Sequence, residues 1–169
     1  MLAPAALVLA LPFAVPQFRA KLFSGPAMEL ADGLRQDYEK AHDLLEHYYR
    51  PAALQTAIPI LERIIEKNPS FAPAYSDLGR ANAQQYIQAK DPKTLTAART
   101  ASLKALQLKP DLASAHVTLA MLDTRTDQYD LASQELDEAE RLDKHSGAVF
   151  AARGNLLLRR PATKKRRPP

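Results

Sequence analysis

At 169 residues, 46% hydrophobic and 25% charged, the chain has the make-up of one soluble globular domain. It holds no cysteine, which excludes a disulfide framework, thiolate metal centres and cysteine nucleophiles, and its five glycines leave little material for a Gly-rich phosphate loop. The net charge of +4 is unevenly laid out: seven basic residues follow residue 152 with no acid among them, Arg19 and Lys21 stand near the other end, and the 14 basic residues left in the body face all 19 acidic ones, so the body carries −5.

Residues 2–16 are apolar without a break, which suits a signal peptide or membrane anchor. Against that, no cation other than the amino terminus precedes the run, Pro4, Pro12 and Pro16 interrupt it, and it falls short of the roughly 20 residues that span a bilayer. A leader segment or the remnant of a strand is the other reading, and both stay open. Residues 1–36 are therefore set apart as an apolar leader and linker. A cytoplasmic location is expected, with export or membrane anchoring if residues 2–16 act as a signal or anchor.

From Gln36 the spacing turns helical. Tyr38, Ala41, Leu44, Leu45 and Tyr48 recur at three and four residues, predicting a first helix. Pro51 marks a turn and suits the first turn of the next helix, whose apolar stripe is Ala57, Ile60, Leu61, Ile64 and Ile65. Asn68-Pro69 ends it, because the residue before proline is pushed out of the helical region. A second hairpin opens at Ala72 with Tyr75, Leu78 and the small Gly79, then stretches by seven residues around a loop at Gln88–Lys93. Its return helix carries Ala97, Ala98, Ala101, Ala105, Leu106 and Leu108 and ends at Pro110. A third hairpin has Leu119 and Ala120 in its first helix and Tyr129, Ala132, Leu136, Ala139 and Leu142 in its second. Phe150, Gly154 and Leu157 begin a fourth unit that runs into Arg159-Arg160-Pro161 without a second helix.

These units superpose. Asn68-Pro69 with Tyr75, Leu78 and Gly79 matches Lys109-Pro110 with His116, Leu119 and Ala120, and Asp143-Lys144 with Phe150 and Gly154 makes a third copy. The steps are 41 and 34 residues, and a 34-residue unit of two helices resembles the tetratricopeptide repeat (TPR). The expected fold is an all-α solenoid over residues 37–158, with repeats at 38–71, 72–112 and 113–146 and a half-repeat at 147–158, followed by a basic tail at 159–169. More narrowly, residues 37–143 resemble the C-terminal repeat region of bacterial receptor-like serine/threonine kinases and related transcriptional regulators. The residues that carry this are Ala57-Ile58, Phe71-Ala72-Pro73-Ala74-Tyr75 with Leu78-Gly79, Lys90-Asp91-Pro92 in the long loop, Ala105 to Leu112, and Ala115-His116-Val117 with Leu119-Ala120. No Gly-rich nucleotide loop, His-Arg-Asp or Asp-Phe-Gly triplet accompanies them, so that resemblance implies a sensor or docking part.

Function is therefore expected to be non-enzymatic: a scaffold that holds a protein or peptide partner, without cofactor, in bacterial signalling or as the regulatory part of a membrane-tethered kinase or regulator. In such stacks the first helix of each hairpin lines a concave groove. The facing positions are His42, Glu46 and Tyr49, then Ser76, Arg80 and Ala83, then Val117, Met121 and Thr124, with Ala151 and Asn155 following. Repeat proteins that grip chaperone tails resemble one another in a two-carboxylate clamp of lysine and asparagine. Here those places hold His42/Glu46, Ser76/Arg80 and Val117/Met121, and Arg80 flanked by Tyr49 and Met121 instead suits a mixed apolar and acidic peptide. His42 with Glu46 is the one seed of a metal site, and a solvated helix face accounts for it more simply. His116 falls at a seam position and reads as a packed or hydrogen-bonded core histidine. The acids Glu135, Asp137, Glu138 and Glu140 read as a solvated run. Arg159, Arg160, Lys164, Lys165, Arg166 and Arg167 lack interleaved aromatics, which predicts weak, nonspecific polyanion binding rather than base stacking. The apolar end at Phe150, Leu156, Leu157 and Leu158 points to homodimerisation. Membrane association is left open with residues 2–16.

Overall fold

The computed structural model describes residues 30–50 and 52–161. Seven helices follow one another: α1 (Asp32–Glu46), α2 (Ala53–Lys67), α3 (Ala72–Ala89), α4 (Pro92–Leu108), α5 (Ala113–Arg125), α6 (Tyr129–Leu142) and α7 (Gly147–Arg159). They pair as hairpins α1/α2, α3/α4 and α5/α6, each packing on the first helix of the next unit, with α7 closing the end. The first helices also touch in sequence, α1 on α3, α3 on α5 and α5 on α7, whereas α2, α4 and α6 do not meet one another. The result is an all-α, TPR-like solenoid with a continuous inner row and a broken outer row. Pro51 and residues 1–29 and 162–169 lie outside the described residues, and with them the leader and most of the basic tail.

The helices form where the apolar spacing puts them. In α2, Ala57, Ile60, Leu61 and Ile64 are all buried, and each large side chain contributes about 1.5–3 kcal/mol by leaving water. Pro59 sits inside α2 on its exposed face, so the carbonyl it frees at Gln55 is turned toward solvent. Past α2, Asn68 is extended and its side chain accepts from the Ser70 hydroxyl at 2.9 Å, which makes the turn before Pro73 enters the first turn of α3.

Gly79 has a packing reason. A Cβ there would lie 2.4 Å from Ser102 Oγ and 3.2 Å from the Ala98 carbonyl oxygen, so α3 and α4 approach as closely as a glycine allows. The small residues Ala98, Ala101, Ser102 and Ala105 face that contact from α4. The seven extra residues of this hairpin do not make a loop, which corrects the expectation for 88–93. They lengthen the helices to 18 and 17 residues, leaving only Lys90 and Asp91 between them. Lys90 adopts the left-handed conformation that stops α3, and Asp91 caps α4 by accepting from Lys93 N at 2.9 Å with Pro92 at the first position. Tyr86, Leu95 and Met121 pack on the core residues Ala83, Ala98 and Leu122, so the added turns extend the buried seam.

At the far end two of the acids read as a solvated run, Asp137 and Glu140, clasp α7 to α6. Arg153 donates to Asp137 at 2.7 Å and to Glu140 at 2.6 Å, and Arg160 reaches Asp130 at 2.8 Å. Val149 and Leu156 complete the contact by packing with Ala120, Ala132, Leu136 and Ala139. His116 matches the core reading, half-buried with Nδ1 2.7 Å from Glu135 Oε2 across α5 and α6.

Candidate functional site

The inner row encloses a groove of about 710 Å³. Tyr38 and His42 come from α1, with Tyr48 just beyond its end. Ser76, Asp77, Arg80, Gln84 and Ile87 come from α3, Val117, Met121, Thr124 and Arg125 from α5, and Ala148, Ala151 and Asn155 from α7. Of the positions picked from sequence, His42, Ser76, Arg80, Val117, Met121, Thr124, Ala151 and Asn155 are brought together on this surface. Ala83 is buried instead in the core beside Ala98 and Leu122. Tyr49 is 70% exposed and is replaced in the lining by Tyr48, because α1 stops at Glu46 and the chain loses helical phase through His47–Arg50.

One end of the groove is an ion network rather than a free cation. Asp77, 5% exposed, accepts from His42 Nδ1 at 2.8 Å and lies 3.4 Å from Arg80 Nη2. Arg80 Nη1 donates to Glu46 Oε1 at 2.6 Å, while its Nε and Nη2 are buried without a hydrogen-bonding partner. The hydrogen bond to Arg80 holds the Glu46 carboxyl below its ordinary range, and the bond to Asp77 raises His42 above its own despite some burial. Burial, followed by the Asp77 charge and hydrogen bond, keeps the Tyr38 hydroxyl protonated far up the pH scale. Tyr38 also meets Phe71 edge-on at 5.1 Å, which ties this network to the first core. Arg80 is thus engaged with two acids, and the groove cation without such a pairing is one that the spacing did not single out. Arg125 lines the groove with no acidic partner among the described residues. Desolvation, and secondarily the nearby Arg159, lowers its pKa, so its charge is held in an unfavourable setting.

The pairing of Glu46 with Arg80 was open to sequence reading, since 34 residues separate them and the repeat places them side by side. Arg125 offered no such signal, because its isolation depends on which acids fold elsewhere. A second cleft, of about 860 Å³, opens on the outer side between α2 and α4 over Tyr75 and Leu78 of α3. No group of three or more metal-ligating side chains occurs among the described residues, and none of the helices among them is long and apolar enough to cross a membrane. Of the basic tail, Arg159 ends α7 and Arg160 is paired with Asp130, while Lys164, Lys165, Arg166 and Arg167 lie outside the described residues.

With this geometry the chain is similar to solved TPR domains. The Arabidopsis OM64 TPR domain superposes with a TM-score of 0.58 at 14% identity, covering 74% of this chain and 94% of that one. The TPR2B domain of yeast Sti1, in its complex with pHsp70, gives 0.57 at 20% identity over 74% of this chain and 99% of that one. The second TPR domain of human RPAP3, in complex with the HSP70 peptide SGPTIEEVD, gives 0.54 at 13% identity over 73% and 98%. At such identities the likeness is one of fold. A scan against family models and a search of curated proteins find no match.

Proposed function

We propose that the chain is a non-enzymatic docking module that holds an extended segment of a protein partner along its inner groove. The observation that carries this reading is Arg125, a partly buried groove cation without an acidic partner among the described residues, set beside the apolar Ile87, Val117 and Met121. Such a surface fits a segment that presents an acidic side chain to Arg125 and apolar side chains to α3 and α5. Two of the similar domains, from Sti1 and RPAP3, are complexes with Hsp70 or its peptide, which supports peptide holding as work this fold performs. The groove residues proposed to make contact are His42, Ser76, Val117, Met121, Thr124 and Arg125, with Glu46 and Arg80 shaping one end. The resemblance of residues 37–143 to the repeat region of receptor-like kinases supports a finer reading, in which this docking serves bacterial signalling beside a kinase or regulator.

The test is capture from the native host with four proteins: the intact chain, a chain ending at Pro161, Arg125→Glu and Met121→Glu. A shared protein partner held by the first two, and lost at least tenfold by both groove variants, is the expected result. Partners that survive both substitutions would overturn the groove reading. Nucleic acids released by moderate salt and by removal of residues 162–169 would move the function to the tail.

A further inference from the structure

One repeat position recurs as a cation at the far end of the groove. Arg125 and Arg159 stand one repeat step of 34 residues apart, in the last turns of α5 and α7. Those two helices pack on each other in the inner row. Asn155, about one turn before Arg159, lines the groove together with Arg125. The charge of Arg159 adds to burial in holding the Arg125 guanidinium below its ordinary pKa. The neighbouring acids are committed elsewhere. Asp123 is held by Arg99 at 2.6 Å, Asp130 by Arg160 at 2.8 Å, and Asp137 and Glu140 by Arg153. Asp127 accepts from the Tyr129 hydroxyl at 2.6 Å, and Ala162 to Pro169 add no acidic side chain. Arg125 and Arg159 are thus near each other without a carboxylate partner among the described residues. The same repeat position of α3 holds the uncharged Gln84, and Arg80 is paired with Glu46. Unmatched positive charge along the groove is therefore gathered where α5 meets α7.

We infer that the partner segment, in the docking role proposed above and resting on it, carries two acidic side chains three residues apart in polyproline II conformation, one set on Arg125 and the other on Arg159. Spacing selects this form. Packed helices lie about 8–10 Å apart axis to axis, so equivalent positions on successive inner helices are separated by about that distance. Polyproline II has three residues per turn and rises about 3.1 Å per residue, which puts residues i and i+3 on one side about 9 Å apart. In a strand, residues on one side are about 7 or 13 Å apart, and adjacent residues point to opposite sides. In a helix, residues i and i+3 rise only about 4.5 Å. Polyproline II also leaves its backbone groups unpaired, and the side-chain amides of Gln84 and Asn155 lie along the same stretch to meet them.

Panning a phage-displayed library of random twelve-residue segments on the full chain tests this. The expected result is enrichment of acids three apart, reduced to a single acid on Arg159→Ala and lost on Arg125→Ala. The basic tail is common to all three proteins, so selection by the tail alone would not differ among them. Arg159 is exposed, so Arg159→Ala should keep its helical circular dichroism. With the best segment synthesised and amidated at its C terminus, one of the two acid-to-amide replacements should weaken binding to the full chain about threefold and leave binding to Arg159→Ala unchanged. No enrichment, acids without fixed spacing, equal selection on Arg159→Ala, or tighter binding of a segment with one phosphoserine in place of the pair would overturn the inference. Groove docking would still stand if the selected segments were lost on Met121→Glu. Segments that survive both Arg125→Ala and Met121→Glu would overturn the groove reading as well.

Discussion

At the scale of single residues, Asp77 matters most. Its carboxylate, 5% exposed, holds His42 and lies beside Arg80, and it sits where the first repeat joins the second. Because Asp77 raises the folded pKa of His42, the histidine's contribution to stability is fully present below its ordinary 6.5 and is lost as pH rises through the raised value. Glu46 runs the other way. Lowered by Arg80, it contributes above its ordinary 4.5 and loses that contribution as acid protonates it. The α1–α3 seam is therefore tightest from about pH 4.5 to 6.5, taking the unfolded values as limits. Proton NMR titration of the His42 ring should show a pKa above 6.5 in the native chain that falls back in Asp77→Asn. An unmoved titration in that variant would mean that the contact is absent in solution.

Between elements, the α3–α4 contact is set by one missing methyl. Gly79→Ala improves intrinsic helix propensity by about 1 kcal/mol. It also drives a Cβ to 2.4 Å from Ser102 Oγ and to 3.1 Å from the Ser102 backbone nitrogen, and overpacking of this kind costs about 1–3 kcal/mol. With the contact this short the second effect wins, for a net loss of up to about 2 kcal/mol in urea unfolding. Ser102 Oγ is buried with no hydrogen-bonding partner, so Ser102→Ala should cost nothing by itself and should restore part of the loss in the double variant. Additive losses would show that the contact is looser than 2.4 Å implies. Gly79 as a close-packing residue was legible from the repeat alone. The cross-helix work of Asp137 and Glu140 was not, because their partner Arg153 lies 16 and 13 residues away on a helix whose orientation no local pattern encodes. Asp91-Pro92 misled for a related reason. It marks a true helix start, but whether the residues before it form a loop or two more turns depends on apolar partners such as Leu122 on α5.

For the whole molecule, the repeat period carried the architecture: helix order, the hairpins and the closing α7 follow from one spacing. Eight of the positions picked from it lie on the inner groove, whereas Ala83 is buried, Glu46 is absent from the lining, and Tyr49 is displaced where a helix ended one turn early. A stack in which each unit leans only on its neighbours loses protection from the ends inward. Among the described residues, the central hairpin α3/α4 touches both flanking units, whereas α1 and α7 each have helices packed on one side alone. Hydrogen exchange should be slowest in α3, α4 and α5 and fastest in α1 and α7. Uniform protection from α1 to α7 would instead indicate a single cooperative unit.

The break between α2 and α4 has a mechanical consequence. With no outer helix pressed against another, the outer side offers fewer contacts to resist bending than the continuous inner row. Arg80 on α3 and Arg125 on α5 both line the inner surface. The outer cleft of about 860 Å³ lies on that less supported side, between α2 and α4. A ligand seated in that cleft between Glu62 and Lys93 would fix the spacing of α2 and α4.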